Sequence, residues 1–344
     1  MTAPPPTPTA RRCARRAVVG GVVVFAALQL GFGLLAEARP QVRDPLYGDK
    51  LTKLKRRLSD GDRTVVMLGS SRTGLAFHAA NVEGQLGGVV AFNFGIPAAG
   101  PVTQLVYFKR LLGDGVTPDL LLVEVLPSML AASADGRPQE AGMLSADRLT
   151  RRECDAVAGY GFPPDALHSR WARTVALPAY WLRFQALARL LPSSLPWNVR
   201  CDWSRGADDD GFSRAWSQFV DADKRAALTE NARREYAPTL ADYAPGGPAV
   251  AALDALLALC RERGVAVRLV LMPESSGFRT HLPAAGYERL LRQLIAFDVP
   301  LVNAREWLDD AAFYDGHHAF VAGADVFTER LTREAIGPAL KAGR

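Results

Sequence analysis

The 344-residue sequence is poor in the residues that build metal and redox centres, with four cysteines and five histidines. Cys13, Cys154, Cys201 and Cys260 fit no zinc or iron–sulfur spacing, so neither a metal site nor an organic cofactor is expected. His78, His168 and His281 stand alone in the sequence and read as structural. No internal repeat is present, which excludes solenoids and propellers. A broad basic face is also lacking. Arg11, Arg12, Arg15 and Arg16 supply four of the five net positive charges, and the first sixteen residues hold no acid. The one later basic cluster, residues 50–57, is short and flanked by acids. The body of the chain is therefore close to neutral, and nucleic acid is excluded as a partner. What the sequence has in quantity is apolar residues, 49% of the total against 22% charged, enough for a sizeable core.

The longest apolar run, residues 17–36, reads AVVGGVVVFAALQLGFGLLA and contains one strongly polar residue, Gln29. Such a length matches the hydrocarbon thickness of a bilayer. The arginines just before it stay inside by the positive-inside rule. The expected organisation is a cytoplasmic basic tail (1–16), a transmembrane anchor (17–36) and a domain (48–344) outside the cytoplasmic membrane. A cleaved signal peptide is the alternative, since Ala36-Glu37-Ala38 resembles a small-x-small cleavage site. Either reading exports the domain. Outside, disulfides persist, and Cys154 and Cys201 are the candidate pair; Cys260 sits in an apolar helical run and reads as core.

Helical and strand patterns alternate along the body. Strands are predicted at 64–68, 88–94, 119–126, 265–272 and 299–303. Helices are predicted at 50–58, 101–112, 249–263, 287–297 and 321–340. The run Leu120-Leu121-Leu122-Val123-Glu124-Val125 is nearly all apolar, as in a strand covered on both faces. Strands alternating with helices predict an α/β fold, a flavodoxin-like three-layer α/β/α parallel sheet. Residues 127–248 break the rhythm and read as a mostly helical insertion with loops. That insertion holds five of the six tryptophans, which either stack on sugar rings or fill a core. Its acidic run, Asp208 to Asp210, is either a cation site or a solvated loop.

In an open parallel sheet, ligands bind beyond the carboxyl ends of the strands. Three strand ends carry polar residues: Gly69-Ser70-Ser71-Arg72, Asn93-Phe94-Gly95 and Pro273-Glu274-Ser275-Ser276. A fourth segment, Tyr314-Asp315-Gly316-His317-His318, precedes the last helix. A serine on a tight turn needs a base for its proton and a group to orient that base. Ser71, His318 and Asp315 could supply all three. Ser70 is the alternative nucleophile, or a helix cap, and His317 is the alternative base. Backbone N–H groups of Ser71 and Gly95 are placed to stabilise an oxyanion. Arg72, Glu274, Arg279 and His317 are candidate pocket residues, with loop ion pairs as the plainer reading of the charged ones. Glu124 is either a contact to the site or half of a buried ion pair.

These segments resemble the blocks of the SGNH/GDSL hydrolase superfamily. Gly69-Ser70-Ser71 with Gly74 is similar to the nucleophile block, Asn93-Phe94-Gly95 to the second block, and Asp315-Gly316-His317-His318 to the DxxH block. The resemblance implies Ser71 as nucleophile, His318 as base, Asp315 as its orienter and Gly95 in the oxyanion hole. The chain departs from the third block, which carries an asparagine where this sequence reads Val123-Glu124-Val125-Leu126. The arrangement of a hydrophobic segment before an exported domain resembles membrane-tethered polysaccharide O-acetylation proteins. It implies a serine esterase or O-acyltransferase acting on acyl esters of envelope or secreted carbohydrate, with a membrane acyl-transfer protein as partner. An inactive domain of the same fold, binding glycans or scaffolding a membrane complex, is the reading from another class.

Overall fold

The computed structural model describes residues 7–59, 61–133, 135–181, 183–195, 206–214 and 220–342. Five strands form one parallel sheet: β1 (Arg63–Gly69), β2 (Val89–Gly95), β3 (Leu120–Val125), β4 (Ala266–Leu271) and β5 (Leu301–Asn303), in the order β2-β1-β3-β4-β5. This is the flavodoxin-like order of doubly wound folds. The chain leaves β1 for β2 on one side, then crosses back to β3 on the other. The crevice at that reversal lies beyond the ends of β1 and β3.

Alternate residues of each strand feed two separate cores. Val66, Leu68, Phe92, Phe94, Leu121 and Val123 join the core under the Pro101–Gly113 and Gly247–Glu262 helices. Val65, Met67, Ala91, Leu120 and Leu122 join the core under the Ala79–Leu86 and Val321–Leu331 helices. A strand buried on both faces cannot alternate polar with apolar residues, which is why β3 reads as an unbroken apolar run. Each fully buried leucine contributes about 1.5–3 kcal/mol of transfer free energy. Glu124 is the exception in that run, 2% exposed in the middle of the fold.

Element boundaries shift from the predicted ones where turn chemistry decides them. The first helix of the body starts at Pro45, not residue 50, because Asp44 caps it by accepting from Tyr47 N–H. The final helix is interrupted by a π turn at Thr332–Ile336. The region 127–248 is mostly helical among its described residues, with helices at Arg151–Ala158, Pro164–Ala176 and Ala222–Ala241. It is tied to the sheet through Glu140, whose buried carboxylate accepts from the N–H groups of Gly100, Val102 and Thr103 at 2.7–2.9 Å, at the start of the Pro101–Gly113 helix.

Asp210 is not poised for a cation. Its carboxylate accepts from Ala80 N–H at 2.7 Å and Phe212 N–H at 3.1 Å, capping the Ala79–Leu86 helix and closing its own turn. Asp208 pairs with Arg214. Burial pushes the thiols of Cys154 and Cys260 up to about 12. Cys201 lies outside the described residues, and so does its expected pairing with Cys154, as do Trp197, Trp203 and Trp216. Trp171, half-buried, donates to Glu37 Oε2 at 3.0 Å. One helix among the described residues, Pro8–Ala38, is long and apolar enough to cross a membrane, and it contains the predicted segment 17–36.

Candidate active site

The turn after β1 is built around Glu124. Its Oε2 accepts from Ser70 N–H at 2.7 Å, Thr73 N–H at 3.3 Å and Thr73 Oγ1 at 2.6 Å, and its Oε1 accepts from Ser70 Oγ at 2.7 Å. A buried carboxylate needs this many donors to offset its lost hydration. The clasp requires glycine at 69, since a Cβ there would collide with the Glu124 carboxylate and Thr73 Oγ1. Ser70 is spent as a cap: besides donating to Glu124, its Oγ accepts from Arg72 N–H at 3.1 Å, and it is 1% exposed. The alternative of Ser70 as nucleophile fails on that ground. Ser71, the first residue of the Ser71–Ala76 helix, is half-buried and lines a cavity of about 800 Å³.

From the opposite side comes the loop before the last long helix. Gly316 adopts φ +91°, a conformation open to glycine. Its carbonyl accepts from Ser275 N–H at 2.8 Å, which fastens the loop to the end of β4. Asp315 Oδ1 accepts from the backbone N–H groups of His317 and His318 at 3.1 and 2.8 Å. Its Oδ2 lies 2.6 Å from His318 Nδ1, and His318 Nε2 lies 2.8 Å from Ser71 Oγ. Tyr314 stacks on the His318 ring at 5.6 Å between centroids. Residues 247 apart in sequence thus form a continuous relay of carboxylate, imidazole and hydroxyl. Burial by itself raises the Asp315 carboxyl. The adjacent imidazoles and the hydrogen bonds from His318 outweigh it and hold the carboxyl well below the usual range.

His317 stays off the relay. Its ring packs between Tyr236 and Phe278, with centroids 5.0 and 4.8 Å away. Its Nδ1 has no hydrogen-bond partner among the described residues, lying 3.4 Å from Asp315 Oδ1. Burial, and then repulsion from His318, hold its pKa far below the ordinary value. It lines the cavity as a neutral wall and does not reach Ser71 as a base.

The other expected pocket residues form a frame behind the site. Arg72 Nη2 donates to Pro273 O at 2.9 Å and Glu274 Oε1 at 3.2 Å. Glu274 Oε2 in turn accepts from Arg305 Nε at 2.7 Å. Arg279 donates to the carbonyl of Glu274 at 2.7 Å. Arg72 and Glu274 are each 2% exposed, and none of Arg72, Glu274 or Arg279 lines the cavity. Arg72 is held there through Nη2 alone, while its buried Nε and Nη1 have no hydrogen-bond partner among the described residues.

Gly95 also departs from its expected role. Its N–H already donates to Asn93 Oδ1 at 2.9 Å, so it is not open to an oxyanion. Glycine is needed there for packing, because a Cβ would run into the backbone of Gly74 and Ser70 O. Asn93 itself donates Nδ2 to Thr73 O at 2.8 Å and Phe77 O at 2.6 Å, locking the Ser71–Ala76 helix to β2. Three residues past Gly95, Ala98 has φ +58°, a strained value for a residue with a Cβ, and it lines the cavity. The N–H groups of Ser71 and Ala98 have no acceptor among the described residues.

Sequence reasoning did not find Ala98, nor the cavity walls supplied by Leu46 and Lys50 from the Pro45–Arg57 helix, Met129, and Leu228 and Tyr236 from the Ala222–Ala241 helix. Lys50 is buried, donates to Asn93 O at 2.7 Å and Gly211 O at 2.8 Å, and is pushed down to about 7 by burial and by Lys53. The acid inside an apolar strand was the one available signal, and it pointed to Glu124. Among the described residues, Asp315, His317 and His318 are the one group clustered closely enough to hold a metal ion. Two of these three are already committed to the relay.

Residues 38–144 match a family described as "Protein of unknown function (DUF1574)". No curated protein matches the chain. Among solved structures, the chain is similar to a GDSL-like lipase from Bacteroides thetaiotaomicron VPI-5482. The identity is 12%, 85% of this chain and 98% of that one are covered, and the TM-score is 0.38.

Proposed function

We propose that the protein is a membrane-tethered serine esterase or O-acyltransferase of the SGNH type, with Ser71, His318 and Asp315 as its catalytic residues. The relay of 2.8 and 2.6 Å contacts carries this reading. Ser71 Oγ attacks the carbonyl carbon of an acyl ester while His318 Nε2 takes the hydroxyl proton. Asp315 accepts from Nδ1–H, which fixes the tautomer that leaves Nε2 free as a base and stabilises the imidazolium. The tetrahedral oxyanion is met by the N–H groups of Ser71 and Ala98. Collapse expels the alcohol, which receives its proton from His318, and leaves an acyl-Ser71 ester. Water or a second hydroxyl then attacks that ester, loses its proton to His318 and regenerates Ser71.

The insertion supplies the specificity. Met129, Met143 and Leu228 give the cavity apolar walls suited to an acyl chain, and Asn231 and Glu235 offer hydrogen bonds to an alcohol. The tether, exporting the domain and keeping it at the cytoplasmic membrane, favours a carbohydrate of the envelope as that alcohol. A membrane acyl-transfer protein as donor belongs to the transferase version of the reading.

The test is labelling of the detergent-solubilised full-length chain with a fluorophosphonate probe. Labelling of the wild type that is lost in Ser71→Ala is expected. A folded wild type that does not label would sink serine catalysis and leave the glycan-binding or scaffold role.

A further inference from the structure

The Pro164–Ala176 helix and the short Pro178–Trp181 helix run antiparallel to the Pro8–Ala38 helix, and three contacts at four-residue steps mark the path. Trp171 Nε1 donates to Glu37 Oε2 at 3.0 Å. Val175 O approaches Gly33 so closely that a Cβ on Gly33 would lie 2.9 Å from it. Ala179 N–H donates to Gln29 Oε1 at 3.2 Å. The step from Glu37 to Gln29 covers about 12 Å of helix axis. Gln29 is the strongly polar side chain in the apolar run, and the insertion gives it a partner. A polar group at membrane depth requires one.

Below this path the insertion turns apolar surface outward. Leu177, Tyr180, Leu190 and Leu191 are 49%, 56%, 77% and 58% exposed. The Arg183 guanidinium lies over the rings of Tyr180 and Phe184 at 3.9 and 4.2 Å. Aromatic rings beside a cation are the chemistry of a membrane–water boundary. Exposed leucines beside them are costly in water and favourable in acyl chains.

We propose that residues 177–181 and 183–191 are a second membrane element, a wedge seated in the outer leaflet beside the anchor. The inference rests on the tether reading: if residues 17–36 fill the hydrocarbon layer, a segment that meets the anchor at Gln29 lies inside that layer. A second copy of the chain or a protein partner could cover the same leucines, but neither accounts for the descent along the anchor. The wedge and the anchor together fix the orientation of the domain on the bilayer, which a single flexible tether does not.

The test uses the full-length chain in phospholipid vesicles, in a Cys13→Ser, Cys201→Ser background, with Cys154 and Cys260 left buried. Single cysteines at Tyr180→Cys and Leu190→Cys carry an environment-sensitive fluorophore. Gly31→Cys, where a Cβ meets nothing, reports the anchor, and Ile295→Cys, 68% exposed, reports solvent. Labels at 180 and 190 are expected to emit at shorter wavelength and to lose intensity to nitroxide lipids as the label at 31 does. The label at 295 is expected to respond to aqueous iodide alone. If 180 and 190 behave like 295 while 31 is quenched by lipid, the anchor stands and the wedge is overturned. Shielding from iodide without lipid quenching means that protein covers the face, and also overturns it. A label at 31 untouched by lipid removes the tether and the wedge together.

Discussion

Asp315 does two jobs with its two oxygens: Oδ1 shapes the loop through backbone N–H groups, and Oδ2 orients His318. Asp315→Asn keeps the shape and presents an amide where an acceptor is needed, so the wrong tautomer of His318 is favoured. The expected result is a loss in kcat on the order of 10⁴-fold with little change in KM, read by ester hydrolysis kinetics. Glu124 works one layer further back, without touching substrate. Glu124→Gln turns one acceptor into a donor facing Ser70 or Thr73, and is expected to cost about 3 kcal/mol in urea unfolding, with slower probe labelling of Ser71. His317 gives the site its pH sensitivity in stability. Its buried imidazole binds protons less readily when folded than when unfolded. A depressed base contributes stability that is whole above the ordinary value of about 6.5 and is lost as pH falls below it. Asp315, also depressed, adds a further loss below about pH 4. The unfolding midpoint is therefore expected to drop between pH 7 and pH 5, and His317→Gln is expected to flatten that drop.

At the scale of elements, the site depends on how closely the end of β2 approaches the Ser71–Ala76 helix. Gly95→Ala pushes a methyl group into the Gly74 backbone, where no flexible side chain can yield. Overpacking of this kind costs about 1–3 kcal/mol. Here it also shifts Ser71 away from His318, so labelling is expected to fall more than stability. Lys50 joins three elements by donating from its helix to the carbonyls of Asn93 in β2 and Gly211 in the insertion. Its ammonium, pushed down to about 7, binds fewer protons folded than unfolded from there upward. Its contribution therefore makes stability rise with pH above about 7, until the thiols of Cys154 and Cys260, held at about 12, oppose it above about 9. Lys50→Met is expected to remove that rise and to cost about 1–3 kcal/mol at pH 7 by orphaning two carbonyls.

For the whole molecule, the reversal of strand order between β1 and β3 brings together groups from opposite ends of the chain. It opens a crevice with Ser71 on one side and the Asp315–His318 loop on the other, over the Glu124 floor. The body contributes these groups without the anchor. Of the Pro8–Ala38 helix, only Gly33 and Ala36 are buried. A chain beginning at residue 37 keeps Glu37 and its bonds to Arg43, Arg151 and Trp171. It is expected to fold and to label at Ser71 while binding membranes more weakly than the anchored chain, held by the exposed leucines of the insertion alone, as checked by flotation on a density gradient.

The apolar pattern alone determined the α/β class, the five strands and the long N-terminal helix, because burial on one or both faces leaves a direct periodicity in the residues. The pairing of Ser71 with Asp315 and His318 was legible from strand-end position, from short polar motifs and from their resemblance to a known set of blocks. Tertiary structure decided what those motifs could not encode. Gly95 loses its N–H to a side chain two residues away, and Ala98 is left with an open one. Arg72, Glu274 and Arg279 close on one another and leave the cavity to Met129, Leu228 and Tyr236. Hydrogen-bond donors and charges are spent by whichever neighbour reaches them first, and which neighbour does so is fixed by packing between segments far apart in the chain.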